Sequence, residues 1–404
     1  MYDTTTWEQK AEEISDRIQK QHTPFKTILD PQFESPSSAA IQNYARAGDS
    51  AIWTGHYLAA EAFRFKVTAS HAVLQNLWRT LEGLRGLVDT TGTGLLARCL
   101  FPEDWKFAAA VIKEECRHGI RRGTLNGEKY LWVGNTSRDQ YSGVFFGLGA
   151  AYDLVDDEAF RSSIRTLVTD LLEFLLKHLW TVVMPGGAVG ECPGRPISTT
   201  FIGRPEQQLS FLQIGRHINP QRFEGEYRKF RKFFAAFVFS QMSLEALDTH
   251  GSYFKFNLAA INLFNLVRLE ESRSRYRRHY RYAYGILRNA VLSHGNAHFN
   301  LVDRALNGAD SDRDLETIRL LNDWLKRPDN DLFVDLRQPP WNYPASPPPD
   351  DRGRDVIPVS ERIRTDFLWQ RSPFLLFGGG AGTIQGAGID FILPYWMARC
   401  YGVL

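Results

Sequence analysis

Apolar residues along the chain form two kinds of helical pattern, and the two kinds alternate. In Ile52–Val67, Val144–Val155 and Phe254–Val267, apolar side chains occupy nearly every face of the predicted helix. A helix of this kind is buried on all sides. The segment after each one places apolar residues at i, i+3, i+4 and i+7, which predicts a helix with a single buried face. These one-faced segments are Ala72–Val88, Ile164–Trp180 and Tyr276–Val291.

A buried helix followed by a one-faced helix forms an αα-hairpin. Weaker patterns extend the series to six pairs, the last of which joins the two ends of the chain. Six inner and six outer helices predict an all-α fold, an (α/α)6 toroid formed by residues 1–404 as one domain, with an open helical array as the alternative. The additional pairs are Glu206–Arg216 with Tyr227–Leu247, Asn300–Leu306 with Leu315–Leu325, and Ile389–Cys400 with Trp7–Ile18.

Two connections rich in Gly and Pro interrupt this series, Met184–Thr200 and Gln338–Arg354. Irregular loops longer than about 12–15 residues are usually functional or disordered. We therefore expect both to form walls at one mouth of the ring, with a surface insertion as the alternative for the second. The run Gly378–Thr383 lacks the Gly-Lys-Ser/Thr ending of a phosphate-binding loop, and we interpret it as a tight turn before the last helix.

Composition narrows the class of protein. With 43% hydrophobic and 23% charged residues, the 404-residue chain is globular and not disordered. Its net charge of +2 provides no overall field for nucleic acid or an anionic membrane. The Arg- and Tyr-rich segment Arg268–Arg288 is therefore interpreted as a solvated outer face, and no nucleic-acid partner is predicted. No apolar run reaches the length of a membrane span and no leader pattern opens the chain, so a cytoplasmic location is expected.

Cysteine and histidine spacing predicts neither a metal nor another cofactor. The four cysteines lie far apart without a C-x-x-C pair, which argues against a disulfide framework or a zinc site. Cys192 lies near Arg195, so either a structural turn or an activated thiol fits this segment. His294 and His298 have helical i, i+4 spacing but lack the Glu of a metalloprotease motif. The cysteines are Cys99, Cys116, Cys192 and Cys400.

Polar and aromatic side chains cluster where the predicted inner helices begin. Because these ends share one mouth in a toroid, the clusters predict a funnel where helix dipoles favour negative charge. Capping explains single Asp or Ser residues, whereas Lys, Arg or His on an apolar helix needs a partner or a wet cavity. The predicted catalytic residues are Asp49, Asp139, Tyr141, Glu191 and His298, and the predicted substrate-binding residues are Trp53, His56, Tyr57, Arg138, Tyr253, Lys255, Asn257, His294, Asn300, Tyr395 and Trp396, with His250 beside them.

Several of these helix starts are similar to those of a known family. The segments are Asp49–Arg64, Thr136–Gln140 followed by Gly143 and Phe146, His298–Asn300, and Asp390–Met397. They resemble a bacterial family of unassigned activity that has the six-hairpin glycosidase-like fold. The resemblance extends with gaps over most of residues 49–401 and implies an (α/α)6 toroid. Toroids of this kind include glycoside hydrolases, polysaccharide lyases, sugar epimerases and enzymes of the linalool dehydratase-isomerase type.

The candidate residues fit more than one reaction. Hydrolysis of a glycosidic bond needs two carboxylates, for which Asp139 is the best base and Glu191 the best acid, with Asp49 and Asp390 as further candidates. Elimination or epimerisation needs a Tyr or His base and an Arg or Asn to neutralise a sugar carboxylate. The residues that fit this need are Tyr141, Tyr253, His56, His298, Arg138, Lys255 and Asn257. The predicted mouth contains more residues of the kind that elimination or epimerisation needs than carboxylates.

We therefore expect a carbohydrate-active enzyme that acts on a glycan or a sugar containing uronic acid, with lyase or epimerase favoured over hydrolase. One alternative is a dehydratase, isomerase or cyclase that uses an acid in an aromatic pocket on a terpenoid-like alcohol or alkene. The other is a ligand-binding scaffold without catalysis. The expected partner is a small-molecule or oligosaccharide substrate, and homo-oligomerisation is left open.

Overall fold

The computed structural model describes residues 4–249, 252–345 and 352–404, and most of these residues are helical. His250 and part of the Gln338–Arg354 connection lie outside the described residues. The helices within these ranges are α1 (Thr4–Arg17), α2 (Ser50–Thr68), α3 (His71–Asp89), α4 (Ala108–Glu115), α5 (Arg138–Leu154), α6 (Glu158–Lys177), α7 (Pro205–Ile218), α8 (Pro220–Phe234), α9 (Phe237–Glu245), α10 (Phe254–Leu269), α11 (Arg275–Val291), α12 (Ala297–Asn307), α13 (Ser311–Trp324) and α14 (Ile389–Cys400).

The two kinds of predicted helix are confirmed. In α2, α5, α7, α10 and α14 nearly every residue away from the last turn is buried, whereas α3, α6 and α11 bury one face. Helix α2 packs against α5 and α14, α7 packs against α5 and α10, and α12 packs against α10 and α14. Helix α1 from the start of the chain contacts α14 near its end. These contacts bring the N-terminal ends of α2 and α5 together.

Helices α2 and α5 approach more closely than side chains would permit. A Cβ atom on Gly55 would lie 2.1 Å from the carbonyl oxygen of Gly143, and one on Gly147 would lie 2.1 Å from that of Gly55. Only glycine therefore fits at this crossing, since a side chain would force the two backbones apart. The close crossing holds the starts of the two helices near one another.

Nine strands within the described residues form three antiparallel sheets, so the all-α prediction is wrong in this respect. The sheet orders are β2-β1-β9-β8, β3-β5-β4 and β6-β7. The glycine run is part of β9 and not the expected turn, because Gly378 and Gly380 pair with Val334 and Leu332 of β8. Glycine is required at 379, where φ is +102° and a Cβ would lie 2.3 Å from Leu332 O. The strands are β1 (Asp30–Phe33), β2 (Ile41–Ala45), β3 (Cys99–Pro102), β4 (Ile120–Leu125), β5 (Glu128–Val133), β6 (Thr181–Val183), β7 (Ile197–Thr200), β8 (Asn330–Asp335) and β9 (Phe377–Gln385).

A disulfide joins Cys116, next to α4, to Cys192 in the connection between β6 and β7. The expectation that the chain has no disulfide is therefore wrong, and so is the option of a free thiol at Cys192. The two cysteines are 76 positions apart in sequence, and only the fold brings their Cα atoms to 4.7 Å. Arg121 also donates to the carbonyl oxygens of Pro185 and Pro193. The connection is thus fastened to β4.

No helix in the described ranges combines the length and apolar character needed to cross a lipid bilayer.

Candidate active site

Asp49 precedes α2 and is held by a side chain from α5. The Nε2 atom of Gln140 donates to Asp49 Oδ1 at 2.9 Å, while Gln140 Oε1 accepts from the backbone N–H of Ile52 at 2.9 Å. Among the described residues, the Asp49 carboxylate makes no capping bond to α2. Arg98 lies 3.6 Å from the same carboxylate oxygen. Asp49 is therefore positioned between two elements, and its side chain stays 45% exposed.

The surroundings of Asp49 favour its protonated form. Partial burial and the negative charge of Asp366, together with that of Asp139, raise the pKa of Asp49 to about 6, against the opposing charge of Arg98. Burial also raises the pKa of Asp139, while the positive charges of Arg98 and Arg138 lower it. Three carboxyl groups thus share one region with Arg98, and one of them titrates close to neutral pH.

Asp366 belongs to this region although sequence analysis did not identify it. One of its oxygens accepts from the indole N–H of Trp53 at 3.2 Å, and the other accepts from Arg371 at 3.0 Å. Only 3% of its side chain is exposed. The residue lies in an irregular segment that begins no helix and matches no motif. No local signal could have identified it.

Glu206, in the first turn of α7, is a second carboxyl group that sequence analysis missed. It follows Pro205, which occupies the first helical position, and it is 4% exposed. Burial raises the pKa of Glu206 to about 7. Its Oε2 atom has no hydrogen-bond partner in the described part of the chain. The rule that selected polar residues at inner-helix starts would have included Glu206, because Glu206–Arg216 was itself a predicted inner helix.

Arg138 is the first residue of α5 and directly precedes Asp139. Burial and the positive charge of Arg204 lower the pKa of Arg138, while the negative charges of Asp139 and Glu206 oppose this shift. Within residues 4–249, 252–345 and 352–404, no hydrogen bond or ion pair engages its side chain. The starts of α2, α5 and α7 therefore supply Asp49, the pair Arg138 and Asp139, and Glu206, whose charges influence one another.

Trp53 connects the carboxylates to a layer of packed rings. Its indole lies 5.1 Å from the ring of Phe367 and 5.2 Å from that of His56, and the rings of His56 and His298 are 6.4 Å apart. Both histidines are fully buried. Burial lowers the pKa of His56 to about 4 and that of His298 to about 3, so both rings are neutral at physiological pH.

Within this layer Asn257 lies near His56, with 3.4 Å between Asn257 Nδ2 and His56 Nε2. Neither ring nitrogen of His298 has a hydrogen-bond partner among the described residues. His56, Asn257 and His298 are predicted site residues, and the structure buries all three out of contact with solvent.

Four other predicted residues are engaged in the packed interior. The hydroxyl of Tyr57 accepts from Gln19, and that of Tyr141 accepts from the backbone of Leu96. Tyr395 accepts from Arg399 within α14, and Trp396 lies under the guanidinium of Arg64 in the C-terminal half of α2. The four side chains with these contacts are Tyr57, Tyr141, Tyr395 and Trp396, and each is fully buried.

The remaining predicted residues lie near the starts of α10 and α12 or on the connection between β6 and β7. Lys255 is 3.7 Å from Glu245, Tyr253 Oη is 3.1 Å from His294 Nδ1, and Asn300 donates to Glu316. Glu191 is exposed on the disulfide-bonded connection. No contact in the described part of the chain joins Glu191 to Asp49 or Asp139.

No group of three His, Cys, Asp or Glu side chains within the described ranges has the arrangement of a metal site. No protein-family model matches the chain, and no curated protein matches its sequence significantly. The functional assignment therefore depends on the geometry of the residues around Arg138.

Proposed function

We propose that the protein is a carbohydrate-active enzyme, specifically a glycoside hydrolase, whose active site lies at the starts of α2, α5 and α7. The observation that carries this proposal is the set of carboxyl groups at the starts of α2, α5 and α7, which are Asp49, Asp139 and Glu206. Glycoside hydrolysis needs one carboxyl group that holds a proton and one that is ionised. Burial raises the pKa of Glu206 to about 7 and so provides the first. Burial raises the pKa of Asp139 as well, but the positive charges of Arg98 and Arg138 oppose that shift, which makes Asp139 the candidate for the second.

We further propose that the helices form an (α/α)6 toroid. The order of contacts supports this, because α2, α5, α7, α10, α12 and α14 each contact the next and α14 contacts α2. A one-faced helix follows each of the first five, and α1 contacts α14. The resemblance of Asp49–Arg64 and the other helix starts to the six-hairpin glycosidase-like family agrees with this arrangement.

In the proposed reaction Glu206 is the general acid and Asp139 the general base. Glu206 gives its proton to the glycosidic oxygen as the bond from that oxygen to the anomeric carbon breaks. A water molecule forms the new bond to the anomeric carbon and gives a proton to Asp139. The products are an alcohol and a sugar with a free anomeric hydroxyl. Proton exchange with solvent then restores both carboxyl groups.

Hydrolysis is favoured over elimination and epimerisation because the bases those reactions need are enclosed. Tyr141 is bonded to the backbone, and His298 is fully buried with a lowered pKa. The alternative reaction on a terpenoid-like alcohol loses Cys192 as a candidate group, since that residue is in a disulfide. Asp49, with its raised pKa, remains an acid that both classes could use.

The test is a screen of aryl glycosides and oligosaccharides with wild type, Asp139→Asn and Glu206→Gln, and with Glu128→Gln, at the exposed start of β5, as the control. We expect release of reducing ends by wild type and the control, and a decrease of about 10²–10⁴-fold in the two site variants. Thermal unfolding should show all four proteins folded.

Other results would contradict the proposal. An ultraviolet-absorbing unsaturated sugar would indicate a lyase, and wild-type rates in Asp139→Asn would remove the assigned base. Turnover of a terpene alcohol without any glycan activity would support the dehydratase or isomerase alternative. Ligand binding without turnover would support a scaffold.

A further inference from the structure

An apolar stripe on the outside of the protein runs from the end of α8 along α9. Its members each have more than half of their surface exposed, and they are Phe233, Phe237, Leu244 and Leu247. Phe237 and Leu244 are seven positions apart, so they lie on the same face of α9. Val238 faces the other way and is buried. Helix α9 therefore packs with one apolar face and leaves a second in solvent, as interaction surfaces do.

Contacts of aromatic rings hold α8 and α9 beside α11. The guanidinium of Arg231 on α8 lies 4.7 Å from the ring centroid of Tyr276 on α11. The rings of Phe239 on α9 and Tyr282 on α11 are 5.7 Å apart, and Tyr282 is itself exposed. The three helices thus share one outer face, here called the α8–α9–α11 surface, whose exposed members are Lys229, Lys232, Phe233, Phe237, Leu244, Leu247, Arg278 and Tyr282.

Positive charge is concentrated on the same helices. Segments 227–247 and 273–288 together contain ten Lys and Arg residues and one acidic residue, although the net charge of the whole chain is only +2. Three of the ten pair with carboxylates, and these are Arg228, Arg231 and Arg288. No carboxylate in the described part of the chain lies within ion-pair distance of Lys229, Lys232 or Arg278, which are all exposed. This face is therefore strongly positive, and the rest of the chain is net negative.

We propose that the α8–α9–α11 surface docks on an anionic lipid bilayer, with the apolar stripe inserted among the headgroups and the cations beside anionic lipids. Binding at a bilayer surface gains affinity from apolar side chains that enter the interface and from basic side chains that meet anionic lipid. Both kinds of residue are exposed together on this face. The inference is independent of the proposed hydrolase activity.

The distribution of charge favours a bilayer over a second copy of the chain. In a two-fold dimer the same surface meets itself, so Lys229, Lys232 and Arg278 would approach the same cations of the other copy, and like charges repel. The apolar stripe favours a bilayer over single-stranded nucleic acid. Bases stack on aromatic rings, whereas Leu244 and Leu247 offer no ring. A bilayer is the partner that uses both the cations and the leucines.

The surface ends beside the candidate active site. Glu245, the last residue of α9, is 3.1 Å from Arg204 and 3.7 Å from Lys255. Arg204 directly precedes α7, whose first turn contains Glu206. A bilayer docked on this surface would therefore lie near the start of α7.

The test is cosedimentation of the protein with vesicles of phosphatidylcholine alone and of phosphatidylcholine with about 30% phosphatidylserine, an anionic lipid. A charge variant combines Lys229→Gln, Lys232→Gln and Arg278→Gln. Its control makes the same change of charge at three exposed positions on α4, β4 and β5, with Lys113→Gln, Arg122→Gln and Lys129→Gln.

An apolar variant combines Phe237→Ala with Leu244→Ala. Its control removes the same two side-chain types from β8, where Leu332 and Phe333 are 53% and 58% exposed, with Leu332→Ala and Phe333→Ala. Thermal unfolding checks that all five proteins are folded.

We expect wild type and both controls to bind the anionic vesicles and to bind phosphatidylcholine alone much more weakly. The charge variant should lower the partition coefficient on anionic vesicles about 100-fold, since each cation near an anionic surface contributes about fivefold. The apolar variant should lower it about tenfold or more, because two large apolar side chains no longer enter the interface. Added salt should weaken the binding of wild type.

The proposal is overturned if wild type does not bind anionic vesicles, if either the charge variant or the apolar variant binds them like wild type, or if a control loses as much affinity as its matched variant. Two further measurements address the other occupants. Tighter binding of a thymidine oligonucleotide than of anionic vesicles, measured by fluorescence anisotropy, would assign the surface to nucleic acid. A dimer in sedimentation velocity that is lost in the apolar variant would assign it to a second copy.

Discussion

The buried carboxyl group of Glu206 makes the free energy of unfolding depend on pH. The substitution Glu206→Gln removes this one contribution and so allows it to be measured. Its pKa is about 7 in the folded protein, against 4.5 for an ordinary glutamate. Because the folded-state pKa is the higher one, the folded protein holds this proton over a pH range in which the unfolded chain has lost it. The contribution of Glu206 to stability is therefore complete below a pH of about 4.5 and is lost as the pH rises through about 7.

The expected size follows from the same two values. Each pH unit by which a pKa is displaced corresponds to about 1.4 kcal/mol, so ionised Glu206 lowers the free energy of unfolding by about 3 kcal/mol. The side chain is only 4% exposed, so solvent screens little of this cost. Most of the loss should occur between a pH of about 4.5 and 7. Above that range the contribution of this group is constant.

The assay is urea-induced unfolding at a series of pH values between about 4 and 8, with wild type, Glu206→Gln and the exposed control Glu128→Gln. The Glu206→Gln substitution keeps the size of the side chain and removes the ionisation. Subtracting the curve of Glu206→Gln from that of wild type cancels the titration of Asp49, Asp139 and every other group. The difference should become less favourable to wild type by about 3 kcal/mol as the pH rises.

A difference that does not vary with pH would refute this reasoning, because it would mean that Glu206 is hydrated in the folded protein. A difference that varies with the opposite sign would mean that a cation, with Arg138 the nearest candidate, pairs with the ionised carboxylate. The control must show no such trend. If Glu128→Gln also shows it, the trend does not come from Glu206.

Three further predictions test the site and the fold. The rate of glycan hydrolysis should fall as the pH rises above about 7, since Glu206 then loses the proton it must donate, and the pH–rate profile measures this directly. Replacing Gly147 by Ala should lower the free energy of unfolding by about 3 kcal/mol or more, because its Cβ would lie 2.1 Å from a carbonyl oxygen of α2; Gly285→Ala on α11, where the space is open, should instead raise the thermal midpoint slightly. Removing the disulfide with Cys116→Ser and Cys192→Ser should cost about 4 kcal/mol for a loop closed over 76 positions, and dithiothreitol should destabilise wild type but not the double variant.

The helices were predictable because their signal is local. The positions that alternate between buried and exposed in α3 or α6 follow one another at helical spacing, so the sequence carries the pattern without reference to the rest of the chain. The same locality identified Asp49, Asp139 and Arg138, each of which lies at the start of an apolar segment. The sheets were harder to predict, since strand pairing joins residues that are distant in sequence, as β3 and β5 do.

The tertiary structure decided which of these residues can act together. Pairing of Cys116 with Cys192, and of Asp366 with Trp53, depends on backbone positions that no local pattern records. Sequence alone also assigned Tyr141 and His298 to the mouth, whereas packing encloses both.

The physical reason is that periodicity reports which face of a helix is apolar, while the pKa of a carboxyl group depends on water excluded by its neighbours and on charges from other elements. The sequence by itself determined the main helices and the acidic residues Asp49 and Asp139 at the starts of α2 and α5. Only the fold determined that Glu206 is buried, so that its pKa is raised, and that Asp366 lies near Asp49.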